Sequence, residues 1–217
     1  QYRRTARLSV MFERKQKQLM FGFRQKHSKS LVEIETCPVL VPALSVLIVP
    51  LRSLIASLKI KRDIGHIELF AVESGHICLL RIMKPLHEKD SDKLAEFAQQ
   101  YNLSIYLQTD PDTVVKLDNE TADSHYRLPS QDLTLQFTPG NFIQVNPEVN
   151  EAMVKQALNW LELGKDERVL DLFCGGGNFS LAMAQQCASV TGVEGVDEMV
   201  RQAQANAKAN DLDNCQF

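Results

Sequence analysis

Hydrophobic and polar residues alternate at the start of the chain, the period of half-buried strands. Residues 2–12 alternate basic or polar residues with Ala6, Leu8, Val10 and Phe12, and residues 19–24 form a similar stretch beyond a polar turn. The pattern therefore predicts a pair of neighbouring strands. Comparable patterns predict further strands at residues 31–35, 66–72, 76–82, 103–107 and 133–137, with residues 66–82 forming a hairpin.

Apolar residues at spacings of three and four predict the helices. Residues 38–58 indicate a long amphipathic helix that starts at Pro38 and is kinked or divided at Pro50. Ser91 is expected to cap a helix that runs to about residue 100. Residues 109–130 are polar and rich in turn formers. A helix at residues 148–163 would bury one face and end at Gly164. That face contains Met153, Val154, Ala157, Leu158 and Leu161.

A strand, a glycine turn and a helix follow one another at residues 168–186. The sequence R-V-L-D-L-F-C-G-G-G-N-F begins at Arg168, and V-T-G-V-E ends at Glu194, 23 residues after Asp171. Glycines let a ligand approach the backbone, and a carboxylate that closes the second strand is where a Rossmann-like unit grips a ribose. The same glycines also suit a simple packing turn. Their spacing differs from G-x-G-x-x-G, which argues against a dinucleotide.

Composition places the chain among ordinary globular proteins. It has 217 residues, 44% hydrophobic and 24% charged, and no apolar run of membrane-spanning length. The five cysteines are scattered, without a C-x-x-C pair, which favours a reducing, cytoplasmic setting.

Charge is distributed unevenly along the chain. Residues 1–30 carry a local charge of +8, and the remainder carries −11. Such a basic block suggests a polyanionic partner, although basic outer faces of a solvated strand pair would look the same. The basic residues are Arg3, Arg4, Arg7, Arg14, Lys15, Lys17, Arg24, Lys26 and Lys29.

The element order predicts an α/β protein with two domains. Residues 1–138 form an α+β central domain whose basic strands face RNA, and residues 139–217 form the first part of a Rossmann-like domain. A helix at residues 197–210 precedes the start of a third strand at residues 215–217. Because the chain begins in mid-pattern and stops after so few strands, we expect it to be a piece of a longer protein.

Three stretches together resemble the RNA uracil-5 methyltransferases. They are F-x-P-x-x-F-I-Q-V-N at residues 137–146, V-L-D-L-F-C-G-x-G-N-F at residues 169–179 and V-x-G-V-E at residues 190–194. The basic first strands, G-F-R at residues 22–24, C-P-x-L at residues 37–40 and G-H-I-E-L at residues 65–69 are most similar to the iron–sulfur bacterial branch that acts on 23S ribosomal RNA at uracil 1939. The resemblance covers the whole chain and corresponds to a middle segment of those enzymes.

This resemblance implies a binding site for S-adenosylmethionine. Glu194 would accept hydrogen bonds from both ribose hydroxyls, and Asp171 would brace the glycine loop. Phe173, with Gly175 and Gly177, would approach the methionine part. The amides of Gln144 and Asn178 would supply donors and acceptors, unless they serve in loop bracing and helix capping respectively.

The resemblance also assigns Cys37 as one ligand of a [4Fe–4S] cluster. Such a cluster needs four cysteines, and the other three would precede Gln1, so Cys37 is expected here as a free or disordered thiol. Cys174 lies in the cofactor turn and is expected to be a packed residue rather than the nucleophile. The catalytic cysteine, the catalytic carboxylate and an RNA-binding barrel would lie outside this sequence, which leaves no catalytic residue in it.

The implied reaction is covalent catalysis on a flipped uracil. A thiolate adds to C6, C5 takes the methyl group, and a base removes the C5 proton. The expected partner is 23S ribosomal RNA, with phosphates held by Arg3, Arg4 and Arg7, and neither a membrane nor an obligate protein partner is expected. The alternatives are a transfer-RNA-directed member of the same family and a non-catalytic RNA-binding module.

Overall fold

The alternating stretch at the start of the chain forms the first strand of a large sheet. The computed structural model describes residues 1–13, 18–28, 30–110, 113–118 and 124–217. In the first strand, Leu8 and Val10 are buried, whereas Arg7 and Met11 are exposed on the opposite face. The period of two therefore separates a core face from an outer face, as predicted.

Seven strands make this sheet, in the order β3-β2-β1-β4-β5-β6-β7. Neighbours are antiparallel except β5 and β6, which are parallel because a helix connects them. The hairpin β4–β5 and the pairing of β1 with β2 confirm those predictions. The strands are β1 (Thr5–Glu13), β2 (Gln18–Arg24), β3 (Leu31–Glu33), β4 (Ile64–Val72), β5 (Gly75–Ile82), β6 (Leu103–Asp110) and β7 (Thr113–Lys116).

Helices α1 (Pro42–Ser45) and α2 (Ile48–Ser57) replace the single long helix predicted at residues 38–58. The break lies at Val46 and Leu47, before Pro50 rather than at it. Pro50 fits in the first turn of α2, where a backbone N–H has no partner within the helix. Pro38 precedes both helices, and Pro42 begins the first.

Helix α3 (Glu88–Tyr101) begins three residues before Ser91, so the predicted cap is wrong. His87 is the N-cap residue, and Ser91 lies inside the helix. The carboxylate of Asp90, 1% exposed, accepts hydrogen bonds from the backbone of Lys59 and Ile60 in the 3-10 helix Lys59–Arg62. Asp90 thus ties α3 to the connection that leads into β4.

Parallel strands β10 (Arg168–Leu172), β11 (Ser189–Val193) and β12 (Cys215–Gln216) form a second sheet in that order. Strands β8 (His125–Leu128) and β9 (Leu133–Gln136) form a separate hairpin around the 3-10 helix Pro129–Gln131. Helices α4 (Pro147–Leu161), α5 (Ser180–Ala184) and α6 (Asp197–Ala209) complete this part. The start of a third strand at residue 215 confirms the prediction.

Helix α4 differs from its prediction at its end and on its apolar face. The left-handed residue that terminates it is Glu162, with φ of 46°, not Gly164. Val154 and Leu158 are buried, but Met153 and Leu161 are 37% and 49% exposed. Asn150 takes an inward position that the apolar pattern did not include.

The chain divides into two units, Gln1–Ala122 with Thr138–Gly140, and Asp123–Phe137 with Asn141–Phe217. The predicted boundary between residues 138 and 139 differs from this division because the hairpin β8–β9 packs on α6 through asparagine side chains.

The polar stretch at residues 109–130 includes β7 and β8, while its residues 111–112 and 119–123 lie outside the described part. Within the described residues, no helix has both the length and the apolar character needed to cross a membrane.

Candidate functional site

The turn after β10 combines three residues with positive φ. Phe173, Gly175 and Gly177 have φ of 62°, 57° and 93°. At Gly177 the φ of 93° is one that L side chains rarely adopt, and a Cβ there would also meet the end of the Leu181 side chain, so glycine is favoured. The backbone between β10 and α5 is consequently bare of side chains at Gly175 and Gly177.

Glu194 joins this turn to the end of β11. Its Oε2 accepts a hydrogen bond from the backbone N–H of Gly175 at 3.0 Å, and its Oε1 accepts from Gly195 and Val196 at 2.7 and 3.1 Å. Strands β10 and β11 are parallel and in register, so their carboxyl ends meet at one edge of the sheet. The structure therefore brings together the glycine turn and the acid that the sequence singled out.

Asp171 braces the far end of the same turn, as predicted. Its Oδ2 accepts a hydrogen bond from the Ser180 hydroxyl at 2.5 Å, at the first residue of α5. This bond fixes where the helix begins relative to β10.

Asn178 forms a reciprocal amide pair with Asn150 of α4. Each Nδ2 donates to the other Oδ1 at 2.9 Å, and Tyr126 Oη donates to Asn178 Oδ1 at 3.1 Å. Helix α5 begins after Phe179 without a side-chain cap, so the capping alternative for Asn178 is wrong. One N–H of the Asn178 amide remains beyond these bonds.

Phe173 and Gln144 differ in exposure. Phe173 is 88% exposed at a left-handed backbone position, which is uncommon for a bulky residue. Gln144 is half-buried in the segment before α4, whose N-cap Asn146 accepts a hydrogen bond from Val149 N. Both residues belong to the second unit, together with Gly175 and Glu194.

Asn206 of α6 bonds to the backbone of the glycine turn, and the sequence analysis did not predict this residue. It is 1% exposed, its Nδ2 donates to the carbonyls of Gly176 and Gln136, and its Oδ1 accepts from Gln136 N. Asn210, one turn later, pairs in the same way with the N–H and C=O of Thr134. The available signal was an asparagine between Ala203 and Ala207, on the buried face of an otherwise polar helix.

Cys174 is buried within the turn and is poorly suited to be a nucleophile. Burial raises the pKa of its thiol to about 11, and the nearby carboxylates of Asp171 and Glu194 act in the same direction. The thiolate, which is the reactive form, is therefore scarce near neutral pH. Its predicted role as a packed residue agrees with this environment.

Cys37 is a buried free thiol in the first unit, and its backbone N–H donates to Ser45 Oγ at 3.0 Å. In the described part of the chain, no three His, Cys, Asp or Glu side chains converge in a way that would hold a metal ion. Cys37 could therefore be at most one ligand of a four-cysteine cluster, because the described residues do not supply the other three around it.

The predicted phosphate-binding arginines have different environments. Arg4 is 3% exposed, so it does not belong to an outer basic surface. Arg3 is half-buried and bridges Leu40 through its backbone, whereas Arg7 is exposed. Among the other basic residues of the block, Arg14, Lys15, Lys17 and Lys29 lie outside the described residues.

Comparison with known proteins gives consistent results. A curated 23S rRNA (uracil(1939)-C(5))-methyltransferase RlmD from Shewanella baltica (strain OS195) is 48% identical over 221 residues, which cover 100% of this chain and 49% of that protein. The protein of the same name from Photobacterium profundum is 48% identical over 216 residues, covering 100% of this chain and 45% of its own length. The chain thus spans about half the length of the curated relatives it matches.

A solved structure shares the fold. The Pyrococcus abyssi tRNA (uracil-54, C5)-methyltransferase, in complex with S-adenosyl-L-homocysteine, matches with a TM-score of 0.70 and 20% identity, covering 100% of this chain and 54% of that one. This likeness confirms the α/β class with a Rossmann-like second part. The family model for tRNA (Uracil-5-)-methyltransferase matches residues 1–217. The chain belongs to this family of RNA uracil-5 methyltransferases.

Proposed function

We propose that the full-length protein transfers a methyl group from S-adenosylmethionine to C5 of a uridine in 23S ribosomal RNA. One observation carries the cofactor part: Gly175 N–H donates to Glu194 Oε2 at 3.0 Å, which places the glycine turn and the acid at one sheet edge. A fold in which these two features faced apart would have excluded a shared ligand. Relatives of the same name, 48% identical, support the substrate class.

The residues present fit such a cofactor. A carboxylate offers about four acceptor positions, and three on Glu194 are filled by the backbone N–H groups of Gly175, Gly195 and Val196. Glu194 therefore has room for one ribose hydroxyl as it stands. Accepting from a second hydroxyl would require it to release one of the backbone bonds.

The remaining site residues have narrower roles in this proposal. Gly175 and Gly177 leave the backbone open to the methionine part, and Phe173 presents its backbone beside them. Asn178 contributes the single N–H that its pairing with Asn150 leaves over. Gln144 is proposed as an amide contact from the segment before α4.

Bound S-adenosylmethionine supplies an electrophilic methyl group to the reaction. The chain's own residues hold and orient it, since the thiol of Cys174 is kept protonated and none of the proposed contacts exchanges a proton. The nucleophilic cysteine and the base are proposed for parts of the full-length protein beyond this sequence. A [4Fe–4S] cluster with Cys37 as one ligand, and a cytoplasmic location in keeping with five free cysteines, belong to the same proposal.

Calorimetric titration with S-adenosylhomocysteine tests the site. Glu194→Gln keeps the shape of the side chain but removes its charge and replaces one acceptor oxygen with an amide NH2 group, which cannot accept from the backbone. We therefore expect roughly a tenfold to hundredfold loss of affinity for S-adenosylhomocysteine. Glu162→Gln is the matched control, because Glu162 is exposed at the end of α4. Equal affinity of Glu194→Gln and the unaltered chain would contradict the assignment.

Methyl transfer by the full-length protein tests the substrate. Tritiated S-adenosylmethionine is incubated with unmodified 23S ribosomal RNA or with unmodified transfer RNA, and the modified nucleoside is identified after digestion. We expect 5-methyluridine in the ribosomal RNA only. Modification confined to transfer RNA would support the transfer-RNA-directed alternative, and no modification of either would support a binding module.

A further inference from the structure

A cleft of about 390 Å³ opens on the outer face of the seven-stranded sheet. Its lining residues come from β1, β2 and β4 and are polar, basic or glycine. Two of them, Gly65 and His66, belong to the G-H-I-E-L motif, which the cofactor site does not use. The lining consists of Arg7, Ser9, Arg24, Gly65 and His66.

Arg7 of β1 and Arg24 of β2 line this cleft from neighbouring strands. Ser9 of β1 pairs with Gly22 of β2, and each arginine lies two residues along its strand from this pair. Two positive charges that line one cleft repel each other. An anion between the two guanidinium groups would offset that repulsion.

His66 and Glu68 orient Arg7 without using all of its donors. Arg7 Nη2 lies 3.2 Å from His66 Nδ1, and Arg7 Nε lies 3.5 Å from Glu68 Oε1. A guanidinium only donates, so Nδ1 accepts and the imidazole proton is placed on Nε2, 3.3 Å from Glu68 Oε1. These contacts engage two of the five Arg7 N–H donors, which leaves three for a ligand.

We propose that this cleft binds a phosphodiester group of the RNA backbone, held by Arg7 and Arg24 with Ser9 and His66 beside them. Guanidinium groups match phosphate oxygens with paired hydrogen bonds, and most protein–nucleic acid hydrogen bonds go to the backbone. This inference rests on the proposed function, because RNA is favoured over other polyanions by the family to which the chain belongs. It replaces the sequence-based trio of Arg3, Arg4 and Arg7, since Arg4 is buried.

Fluorescence anisotropy with a 5′-fluorescein-labelled, uridine-containing RNA hairpin tests the cleft. In R7Q/R24Q we expect about a tenfold or greater loss of affinity near 100 mM KCl, with the log–log salt slope smaller by roughly 2. Lys89→Gln is the matched control, because it removes one exposed positive charge from α3 in the same unit. Its affinity should stay within twofold of the unaltered chain.

Glu68→Gln provides a test of opposite sign. It removes the negative charge beside Arg7, so RNA affinity should rise by about threefold or more if the cleft takes a phosphate. Damage to the sheet could not produce this rise, because it would lower the affinity for RNA. Unchanged or weaker binding by E68Q, full affinity in R7Q/R24Q, or no RNA binding by the unaltered chain would overturn the proposal.

Two further measurements distinguish an RNA-binding cleft from a general anion surface and from the proposed cofactor site. Polyglutamate of matched charge should compete poorly with the RNA; competition as strong as that of unlabelled RNA would mean a general anion surface and would overturn the assignment. S-adenosylhomocysteine titration of R7Q/R24Q should match the unaltered chain. A loss of RNA binding with intact cofactor binding supports the cleft, and failure of cofactor binding alone contradicts the cofactor site without affecting the cleft.

Discussion

The two units of the chain are stabilised in different ways. The first packs apolar side chains from one face of its seven-stranded sheet against α1, α2 and α3, in a continuous cluster that runs from Ala6 to Ile105. The second has a smaller parallel sheet, in which Leu170 and Leu172 of β10 are 62% and 57% exposed. Its elements pack through buried apolar residues such as Leu133, Leu158 and Leu181, and they are joined in addition by amide side chains that bond across long sequence separations.

Asparagine side chains make most of these hydrogen bonds between elements. Asn206 and Asn210 hold β9, Asn150 holds Asn178, and Asn214 Nδ2 donates to the carbonyls of Ala184 and Cys187. Apolar packing tolerates small adjustments, whereas a buried amide must find its partners in fixed directions. The second unit therefore adds a dependence on hydrogen-bond geometry to its apolar packing, close to the proposed cofactor turn.

Truncating the apolar core of the first unit should have the largest effect. Leu8 is fully buried, so Leu8→Ala should lower the free energy of unfolding by about 3 kcal/mol. Leu170→Ala, at an exposed leucine of the second unit, should cost about 0.5 kcal/mol or less. Urea denaturation followed by circular dichroism measures both, and equal losses would break the contrast between the units.

Removing one buried amide should come next. Asn206→Ala leaves the N–H and C=O of Gln136 and the C=O of Gly176 without their partner, which we expect to cost about 2 kcal/mol. Lys208→Ala, on the exposed side of the same helix, is the control and should stay within about 0.5 kcal/mol of the unaltered chain. A negligible effect of Asn206→Ala in urea denaturation would show that the amide hydrogen bonds between elements are dispensable.

Alkaline pH should affect the second unit through Cys174. Its folded pKa, about 11, lies above the ordinary value of 9.0, so the folded state holds the proton more tightly and stability falls as pH rises through this window. Solvent screening reduces the slope below the roughly 1.4 kcal/mol per pH unit of a fully protected thiol. Urea midpoints from pH 8 to 11 should fall less steeply for Cys174→Ala, and parallel curves would contradict the assignment.

Relieving the strained turn should have the smallest effect. Phe173 has φ of 62°, and asparagine tolerates that conformation better, so Phe173→Asn should raise stability by about 0.5 kcal/mol. Leu172→Asn, at a neighbouring extended and exposed position, should lower it because asparagine is disfavoured in strands. Thermal unfolding distinguishes the two signs, and a loss in both variants would mean that Phe173 is not strained.

The strands of the first unit could be predicted well from the sequence, because apolar residues at every second position mark the face of each strand that is buried. The proximity of Gly175 to Glu194 follows for the same kind of reason, since each comes soon after the end of a parallel strand. Their part in binding a cofactor stays a prediction. The sequence predictions failed at Ser91 and Gly164, where common helix-end residues were available but other residues made the ends. The hydrogen-bond partners of Asn206 and Asn150 could not be predicted, because they lie 70 and 28 residues away along the chain.

The edge of β9 that faces away from β8 has a particular consequence for association between molecules. An unpaired strand edge normally offers its alternate N–H and C=O groups to a strand from another molecule. At Thr134 and Gln136 these groups are already engaged by two side chains from successive turns of α6. The two asparagines thus take the place of a neighbouring strand, and they protect this edge of the hairpin from pairing with another molecule.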